Sequence, residues 1–304
     1  MLKLLPAQLL HVSRQFLMEL PGPLKLFRRR KLPSISFPLL LGGAIVSFVL
    51  MFVLVLPFFV VIDSETVRGG IRLAPPDAVN WFGTDALGRD FFSRVVEGVR
   101  FSVWISFVST FFTAIPGILL GLWSGYYEGW LDHLLSRLVE IFLGLPALLL
   151  AIVLIARFGT SLHVLIMTLM ISGIPTFYRI TRNETLSMKK QLFVEAGRSI
   201  GLKNSALIFR YIFLNIYPSL LTLFSIRMSN IVLMVSGLGF IGLGVQPPRA
   251  ELGALLASGR DYYHTAWWLY IIPSCFILLI VLGFNLLGEG LRDWLDRFSH
   301  SIRR

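Results

Sequence analysis

The chain has 304 residues, of which 55% are hydrophobic and 15% are charged, and its mean hydropathy is +0.74. Soluble domains carry about 25% charged residues, so this composition excludes an ordinary soluble protein and indicates a membrane protein. The net charge is +11, but the sequence has no basic stripe interleaved with stacking aromatic residues, which excludes nucleic acid as a partner.

Six apolar windows are long enough to cross a bilayer. At a rise of about 1.5 Å per residue, roughly 20 apolar residues span the hydrocarbon core. The predicted spans are residues 37–62, 101–123, 138–156, 162–181, 207–232 and 267–287. Several contain proline, which a membrane helix tolerates when neighbouring helices satisfy the freed backbone groups. We therefore expect kinks, not breaks, at Pro116, Pro146, Pro175, Pro218 and Pro273.

The first window follows a basic cluster at residues 28–31, as the apolar core of a secretory signal would. Its apolar run is longer than the roughly 7 to 15 residues of a signal sequence, and no small-residue cleavage site follows it. We expect residues 37–62 to stay in the mature protein as a transmembrane helix.

Lysine and arginine are concentrated on one side of the predicted six-span topology. They cluster in residues 1–36, 183–206 and 291–304. Residues 63–100 and 233–266, on the opposite side, balance their arginines with carboxylates. Because cytoplasmic loops retain lysine and arginine, both termini are predicted to be cytoplasmic.

The amino-terminal segment has apolar residues at helical spacing, namely Leu2, Leu5, Leu9, Phe16 and Leu20. Two interpretations stay open, an amphipathic helix on the inner leaflet and a disordered tail. The chain as a whole divides into a cytoplasmic segment 1–36, a first helix 37–62, an external loop 63–100, a five-helix core 101–290 and a cytoplasmic tail 291–304. The core includes a cytoplasmic loop 183–206 and an external loop 233–266.

The first external loop is predicted to contain a short helix. Thr84 or Asp85 can cap a helix that begins near Ala86. Charges then recur at spacings that let them pair on one helix face, at Arg89, Asp90, Arg94 and Glu97. Because these charges can satisfy one another, a locally capped and salt-bridged structure is favoured.

The second external loop is dense in glycine and is predicted to dip back towards the membrane. Its segment GLGFIG at 237–242 matches the dinucleotide-binding pattern G-x-G-x-x-G. That pattern must follow a soluble strand and open a helix, whereas here it follows a transmembrane helix. Close backbone packing is the favoured interpretation.

Catalytic and metal-binding patterns are absent from the sequence. The single cysteine, Cys275, is expected to be a small core residue. Neither G-x-S-x-G nor G-x-x-x-x-G-K-[ST] occurs, so neither a serine hydrolase nor an ATPase is indicated. The histidines are scattered without the spacing of a helical zinc pair, at His11, His133, His163, His264 and His300.

Two charged residues lie within predicted spans. An ionisable group in lipid costs several kcal/mol unless it faces a bundle interior or water. Arg227 falls inside the fifth span and Glu140 near the start of the third. Either could line a solute pathway or belong to a structural pair, and Glu140 could also reach the inner headgroups.

Residues 192–215, LFVEAGRSIGLKNSALIFRYIFLN, resemble a piece of soluble protein between two spans. Leu192, Phe193 and Ala196 form an apolar stripe at helical spacing. Gly201 is placed to end this helix in the left-handed conformation, and Asn204 can cap the next helix. The pattern predicts a compact helix–turn–helix projection whose apolar stripe needs a partner.

The same segment resembles the EAA loop of ATP-binding-cassette importer permeases. That loop reads Glu-Ala-Ala, three residues, Gly and, about ten residues later, Ile-x-Leu-Pro or Ile-Leu-Pro-Asn. The matching residues are Glu195, Ala196, Gly201, Ile212 and Asn215. Gly197 replaces the second alanine, and Phe213 and Leu214 replace Leu-Pro, so the bend at the entry of the fifth span is expected at Pro218 instead.

Three further motifs resemble the second permease of dipeptide, oligopeptide and nickel importers. They are FGTDALGRDFFSR at 82–94, GLGFIGLGVQPPRAELGALLASGRDY at 237–262 and FNLLGEGLRDWLD at 284–296. Leu252 stands where relatives have tryptophan. The resemblance implies an all-α membrane protein with the six-helix type I ABC importer permease fold, carrying peptides or, alternatively, nickel or metal chelates, opines or glutathione.

The resemblance also implies partners and a bacterial inner-membrane location. These partners are a sister permease forming a heterodimer, two ATPase subunits and an extracytoplasmic solute-binding protein, besides membrane lipids. The chain itself would be non-catalytic and without a cofactor, since ATP and magnesium bind to the ATPases. A self-contained channel or secondary carrier, with Arg227 as its selective group, stays the alternative.

Site residues follow from the resemblance and from the charges noted above. The residues implied in coupling to the ATPase are Glu195, Ala196, Gly197, Arg198, Gly201, Leu202, Lys203 and Asn204. Arg227 is the candidate for the pathway. Candidates for an external gate or for contact with the binding protein are Asp85, Arg89, Asp90, Gln246, Arg260 and Asp261.

Overall fold

The computed structural model describes residues 36–58, 64, 71–246 and 248–302. This part of the chain is helical, with one isolated β-bridge between Thr84 and Asp90. Its helices are α1 (Phe37–Leu54), α2 (Phe91–Tyr127), α3 (Trp130–Gly144), α4 (Ala147–Phe158), α5 (Leu162–Lys189), α6 (Leu192–Ser199), α7 (Asn204–Phe240), α8 (Leu252–Gly259) and α9 (Trp268–Ile302). The amino-terminal amphipathic helix and basic cluster predicted above lie outside the described residues.

Helices α1, α2, α5, α7 and α9 are each long and apolar enough to cross a membrane. Helices α3 and α4 meet the same criteria only as a pair, which is bent by 90° at its junction and is therefore either a broken sixth span or a re-entrant segment. The prediction of an all-α membrane protein is therefore confirmed, with five spans or, if the bent pair counts as one span, the predicted six. Helices α6 and α8 are too short to cross and lie in the connections between spans.

The break between α3 and α4 lies at Pro146, where the prediction of a kink within one helix is wrong. Helix α3 ends at Gly144, and Leu145 is extended, with φ −90° and ψ 133°. Proline disfavours the helical conformation of the residue before it and has no N–H to continue the hydrogen-bond ladder. The other prolines lie inside helices as predicted, at Pro116, Pro175, Pro218 and Pro273.

Three glycines let α2 lie close against α5. Gly117, Gly121 and Gly125 are four residues apart and so lie on one face of α2. A Cβ atom at any of these positions would collide with atoms of α5 between Phe177 and Thr185. Small residues at this spacing allow close helix packing in membranes, where dispersion contacts replace the hydrophobic effect between helices.

Buried apolar side chains form three clusters. The first joins α1, α2, α7, α8 and α9 and includes Val232 and Phe276. The second joins α2, α4, α5 and α7 and includes Leu169. The third joins α2, α6 and α7 and includes Leu207. Because α6 precedes α7 and α8 follows it, they mark opposite ends of the bundle, named here the α6 end and the α8 end.

The entry of α7 is irregular. Residues Leu207–Ile212 form a π-helical segment, a rare conformation that often accompanies functional sites. The sequence predicts a bend at Pro218, whereas the irregular segment lies before this proline. The helix itself continues through Pro218.

Cys275 lies on the outer surface of α9, so the prediction of a core cysteine is wrong. Its neighbours Pro273 and Phe276 are buried. The helical period turns the thiol away from them. A free thiol behaves as a small hydrophobic group, and it can face lipid at little cost.

Candidate functional site

Helix α6 packs its inner face against its own chain. Val194 is fully buried. Gly197, three residues on, lets α7 approach, since a Cβ at this position would lie 2.9 Å from the Cδ2 atom of Leu207. Glu195 and Arg198 lie on the exposed side of the helix. The helix is therefore held from one side and free on the other.

The free side of α6 carries uncovered apolar surface. Leu192 is 82% exposed and Ile200 is 56% exposed. Phe193 and Ala196 are half-buried, so the stripe predicted from Leu192, Phe193 and Ala196 is only partly free. Ile200 extends this stripe, because residues four apart lie on the same helix face.

The turn after α6 has the predicted glycine terminator. Gly201 has φ +81°, in the left-handed region. Its N–H donates to the carbonyl of Arg198 at 3.0 Å, and the N–H of Leu202 donates to the carbonyl of Gly197 at 3.1 Å. These two bonds form a Schellman motif, which satisfies the last carbonyls of the helix. The turn is thus defined by hydrogen bonds and favours glycine at its left-handed position.

Asn204 does not cap α7, which corrects the prediction. Lys203 occupies the capping position and makes no side-chain capping bond. The side-chain carbonyl of Asn204 instead accepts a 2.8 Å hydrogen bond from the hydroxyl of Tyr126, at the end of α2. The asparagine therefore ties the start of α7 to α2.

The ring of Tyr126 is also a contact for two cations. The Arg198 guanidinium carbon lies 5.8 Å from the ring centroid and the Lys189 ammonium 5.7 Å from it, within the range of cation–π attraction. Lys189 also forms a 2.7 Å ion pair with Glu128, and this bond lowers the pKa of the Glu128 carboxyl. Tyr126 thus connects α2, α5, α6 and α7.

A buried polar cluster beside the α6 end was not anticipated. Arg182 of α5 donates twice to Asp132 of α3, at 2.5 Å and 2.7 Å. Ser124 of α2 also donates to Asp132, and the Tyr178 hydroxyl lies 2.6 Å from the Ser124 hydroxyl. Three helices therefore share one charge pair, whose members are 50 residues apart and carry no local sequence signal.

Arg227 lies inside the bundle, in the middle of α7. Its Nη2 atom donates to the carbonyl of Leu169 at 3.3 Å and to the hydroxyl of Ser172 at 3.1 Å, both in α5. Its Nε atom is buried, and none of the described residues offers it a hydrogen bond. Gly173 leaves space for the guanidinium, since a Cβ there would contact it. None of the ion pairs among the described residues includes Arg227.

Glu140, the other charge noted in a predicted span, is exposed on α3. It forms a 2.9 Å ion pair with Arg137 in which both side chains are more than half exposed. Glu140 therefore has an ion-pair partner, as in the structural-pair interpretation.

The first connection at the α8 end is a tightly bonded turn. Asp85 Oδ1 accepts from the N–H groups of Leu87 and Arg89 at 2.8 Å and 2.9 Å, and its Oδ2 accepts from Arg89 Nε at 2.7 Å. The predicted helix near Ala86 is absent, because these groups close a turn instead. Asp85 forms ion pairs with Arg89 and Arg94, so the connection is salt-bridged as predicted, but through Asp85 and not through Asp90 or Glu97.

Helix α2 begins five residues later than the predicted short helix and continues through the span. Asp90 is its capping residue, accepting from the N–H of Ser93 at 3.1 Å and from the Ser93 hydroxyl at 2.6 Å. A carboxylate here also favours the positive end of the helix dipole. Asp90 therefore has a structural role that accounts for its buried side chain.

The other external candidates lie apart from this turn. Gln246 donates to the carbonyls of Gly242 and Gly244 within its own loop. Arg260 and Asp261 form an exposed pair at 3.3 Å. The structure thus brings Asp85 and Arg89 together and leaves Arg260 and Asp261 on the surface.

Glu251, which the sequence did not single out, is completely buried at the start of α8. It accepts from the N–H groups of Gly253 and Ala254 at 2.9 Å and 3.0 Å. Burial raises the pKa of its carboxyl to about 7. The carboxylate packs on Gly239, where no Cβ would fit. The segment GLGFIG therefore serves close packing, as expected.

Comparison with known proteins places these features in a family. Residues 117–300 match the family described as binding-protein-dependent transport system inner membrane component. The dipeptide transport system permease of Alkalihalophilus pseudofirmus is 39% identical over 225 residues, covering 74% of each chain. The probable D,D-dipeptide transport system permease of Escherichia coli K12 is 36% identical over 260 residues, covering 85% of this chain and 87% of the relative.

A third relative and a solved structure agree with this assignment. The glutathione transport system permease of Pectobacterium atrosepticum is 39% identical over 221 residues, covering 73% of each chain. An inward-facing methionine ABC transporter contains a chain with a TM-score of 0.52 at 20% identity, covering 66% of this chain and 97% of that one. At this identity the likeness shows the fold alone. The chain is therefore a multi-pass membrane protein of the family of binding-protein-dependent transport system inner membrane components, which confirms the resemblance seen in its sequence.

Proposed function

We propose that the chain is a permease subunit of an ATP-driven importer, in which α6 docks onto an ATPase subunit. The observation that carries this proposal is the form of the α6 end. Leu192 and Ile200 present apolar surface on a short helix that is otherwise held firmly. Exposed apolar residues beside charges on a structured projection are typical of a docking surface. The family description, which names a binding-protein-dependent transport system, supports the same function.

The attachment of α6 suits it to transmit movement. Val194 anchors the helix in the third cluster, the turn at Gly201 is hydrogen-bonded, and Tyr126 holds Asn204. An ATPase that moves α6 therefore moves the start of α7. Inverting a two-state population from about 1:99 to 99:1 needs roughly 5.5 kcal/mol of differential binding. Only a helix that stays ordered can transmit this free energy from the ATPase to the spans.

The remaining partners complete the proposed assembly. A sister permease forms the other half of the pathway, two ATPases bind ATP and magnesium, and an extracytoplasmic binding protein delivers the solute. The chain itself holds no cofactor in this proposal and performs no chemistry. The α6 end and both termini face the cytoplasm of a bacterial cell, which the distribution of lysine and arginine supports.

The test uses the complete assembly and its binding protein in liposomes. Glu195→Lys and Gly201→Asp change exposed positions at the α6 end, so membrane insertion should be normal. We expect both to abolish solute uptake and the stimulation of ATP hydrolysis by loaded binding protein, whereas Glu140→Lys, at an exposed position of α3, changes neither. Unchanged uptake in both α6 variants would contradict the proposal. Solute flux through the chain alone would favour a self-contained channel instead.

Peptides or peptide-like molecules are the proposed solutes. Relatives named for dipeptide and glutathione transport support this class, and nickel chelates and opines are the alternatives suggested by the motifs. Mass spectrometry of the ligand that co-purifies with the binding protein would identify the solute. Recovery of a metal chelate without peptide would overturn the assignment.

Arg227 is proposed to face the solute pathway. It is a cation within the bundle whose Nε hydrogen lacks a partner among the residues that the structure describes, and such groups in membrane proteins mark solute or ion pathways. We expect Arg227→Gln to reduce solute uptake while assembly and ATP hydrolysis are retained, and Arg227→Lys to restore part of the uptake. Equal uptake by Arg227→Gln and wild type, at equal thermal stability, would exclude this role.

A further inference from the structure

A surface groove of about 960 Å³ lies between α1, α2, α7 and α9. On α2 it is lined by Glu97, Phe101, Trp104 and Phe107, which share one helix face because they are three or four residues apart. Between Arg100 and the opposite end of the groove, Ser225 is the single hydroxyl-bearing or charged side chain in its walls. The groove is therefore apolar along its length and polar at one end.

The polar end combines two cations with one carboxylate, from Arg100, Arg249 and Glu97. Arg249 lies 5.5 Å from the centroid of the Phe101 ring. Among the described residues, neither guanidinium has a carboxylate within 4.0 Å. The Oε2 atom of Glu97 is buried and has no hydrogen-bond partner in the part of the chain that the structure describes. The two guanidinium groups are exposed and thus available to an outside ligand, and Glu97 lines the same end of the groove.

The predicted span of α2 puts these charges at the depth of lipid headgroups. Glu97 is in the second turn of α2 and Arg249 precedes α8, so the polar end of the groove is at the α8 end. The predicted hydrocarbon span of α2 starts at Phe101, directly after Arg100. Trp104 lies just inside this boundary, and tryptophan is enriched at the membrane interface.

We propose that this groove binds one phospholipid with an ammonium-bearing headgroup, of the phosphatidylethanolamine type. Its acyl chains lie along the apolar walls formed by α1, α7 and α9. Its phosphate accepts hydrogen bonds from Arg100 and Arg249, since the planar guanidinium matches phosphate geometry. Its ammonium donates to Glu97. The site follows from the membrane fold and does not depend on the coupling role of α6.

Charge complementarity favours this occupant over two others. A water-soluble peptide would lose hydrogen bonds to water against apolar walls whose polar side chain is Ser225. A helix of the sister permease would need a carboxylate and a cation at one level to match the three charges. A zwitterionic phospholipid brings a phosphate, an ammonium and apolar chains in the required order along a single molecule.

The test measures phospholipid binding to the detergent-purified assembly by native mass spectrometry, with added phosphatidylethanolamine, phosphatidylglycerol or phosphatidylcholine. We expect wild type to retain one phosphatidylethanolamine. The double variant Arg100→Gln/Arg249→Gln should bind both phosphatidylethanolamine and phosphatidylglycerol at least about tenfold more weakly, because hydrogen bonds to charged groups are lost. Glu97→Gln should weaken phosphatidylethanolamine alone. The matched control is Arg72→Gln/Arg260→Gln, which removes two exposed arginines outside the groove.

A groove-filling variant separates the site from general effects of charge. Leu50→Trp adds volume to the groove wall on α1 and leaves the three charges in place, and we expect it to displace the phospholipid. Equal retention by wild type, the double variant and Leu50→Trp would overturn the proposal. If wild type bound no lipid and the double variant lost the sister permease, a protein helix and not a phospholipid would occupy the groove. Equal binding of phosphatidylcholine would refute the role of Glu97.

Discussion

The Tyr126 hydroxyl donates a 2.8 Å hydrogen bond to the side-chain carbonyl of Asn204, joining the last turn of α2 to the first residue of α7. The same ring contacts the cations of Arg198 and Lys189. Helices α2, α5, α6 and α7 therefore meet at one aromatic side chain. Helix α6 is consequently attached to the spans and does not hang from them as a loose loop.

Replacing Tyr126 with phenylalanine should loosen this attachment. The substitution removes one hydrogen bond, which contributes about 1 kcal/mol, and keeps an aromatic face for the cations. We expect less solute transported per ATP hydrolysed in reconstituted assemblies, with little loss of thermal stability. Tyr127→Phe is the control, since that hydroxyl makes no hydrogen bond among the described residues. Equal coupling in the two variants would count against the attachment.

Replacing Gly201 with alanine should fray the end of α6. A residue with a Cβ pays about 1 to 2 kcal/mol in the left-handed conformation that Gly201 adopts. We expect faster hydrogen exchange of the amides of Gly201 and Leu202, which donate the two turn bonds. The control is Gly43→Ala in α1, where a Cβ meets nothing within 4 Å and helix propensity rises. Unchanged exchange in Gly201→Ala would show that the turn bonds tolerate a Cβ.

Removing the carboxylate of Asp132 should destabilise the bundle. Arg182, whose side chain is only 23% exposed, would lose its charged partner, and breaking such a pair costs on the order of 3 kcal/mol. A lower unfolding temperature in detergent is expected for Asp132→Ala, partly restored by Asp132→Ala/Arg182→Leu. Glu140→Ala, in an exposed pair, should change stability by less than about 0.5 kcal/mol. Equal losses of stability in Asp132→Ala and Glu140→Ala would show that burial of the ion pair does not determine its contribution.

Glu251 should make stability depend on pH. Its pKa is raised by burial from the ordinary value of 4.5 to about 7, so the folded chain holds a proton that the unfolded chain releases. The stability from this proton is complete below pH about 4.5 and is lost as the pH rises to about 7. Unfolding temperatures measured between pH about 5 and 8 should therefore fall less steeply for Glu251→Gln than for wild type. Asp261→Asn, an exposed control, should keep the wild-type slope. If Glu251→Gln also kept the wild-type slope, the Glu251 carboxyl would not be the source of this pH dependence.

Features set by neighbouring residues could be predicted from the sequence. The turn at Gly201 needs one left-handed residue directly after a helix, and the paired charges Asp85 and Arg89 are only four residues apart. Local rules failed where a distant group competes for the same atoms. Asn204 has a capping side chain in sequence, yet its oxygen accepts from Tyr126, 78 residues away. Periodicity likewise placed a span across Pro146 but could not foresee the 90° bend.

The buried polar groups were the least predictable part of the candidate site. Asp132 and Arg182 meet only because α3 folds back onto α5. Glu251 is buried because two glycines of the α7–α8 connection, Gly239 and Gly244, leave room for its carboxylate. Cys275 shows the converse, since its apolar neighbours in sequence do not reveal which side of α9 faces outwards.

The docking of α6 on an ATPase is tested most directly by cysteine crosslinking within the complete assembly. In a Cys275→Ser background, which removes the single native thiol, Leu192→Cys places a thiol on the exposed side of α6, and Val79→Cys, 80% exposed at the α8 end, is the control. With a short thiol-to-amine crosslinker, the account predicts an adduct between Leu192→Cys and the ATPase subunit and none from Val79→Cys. An ATPase adduct from Val79→Cys, or none from Leu192→Cys in an assembly that still hydrolyses ATP and imports solute, would contradict it.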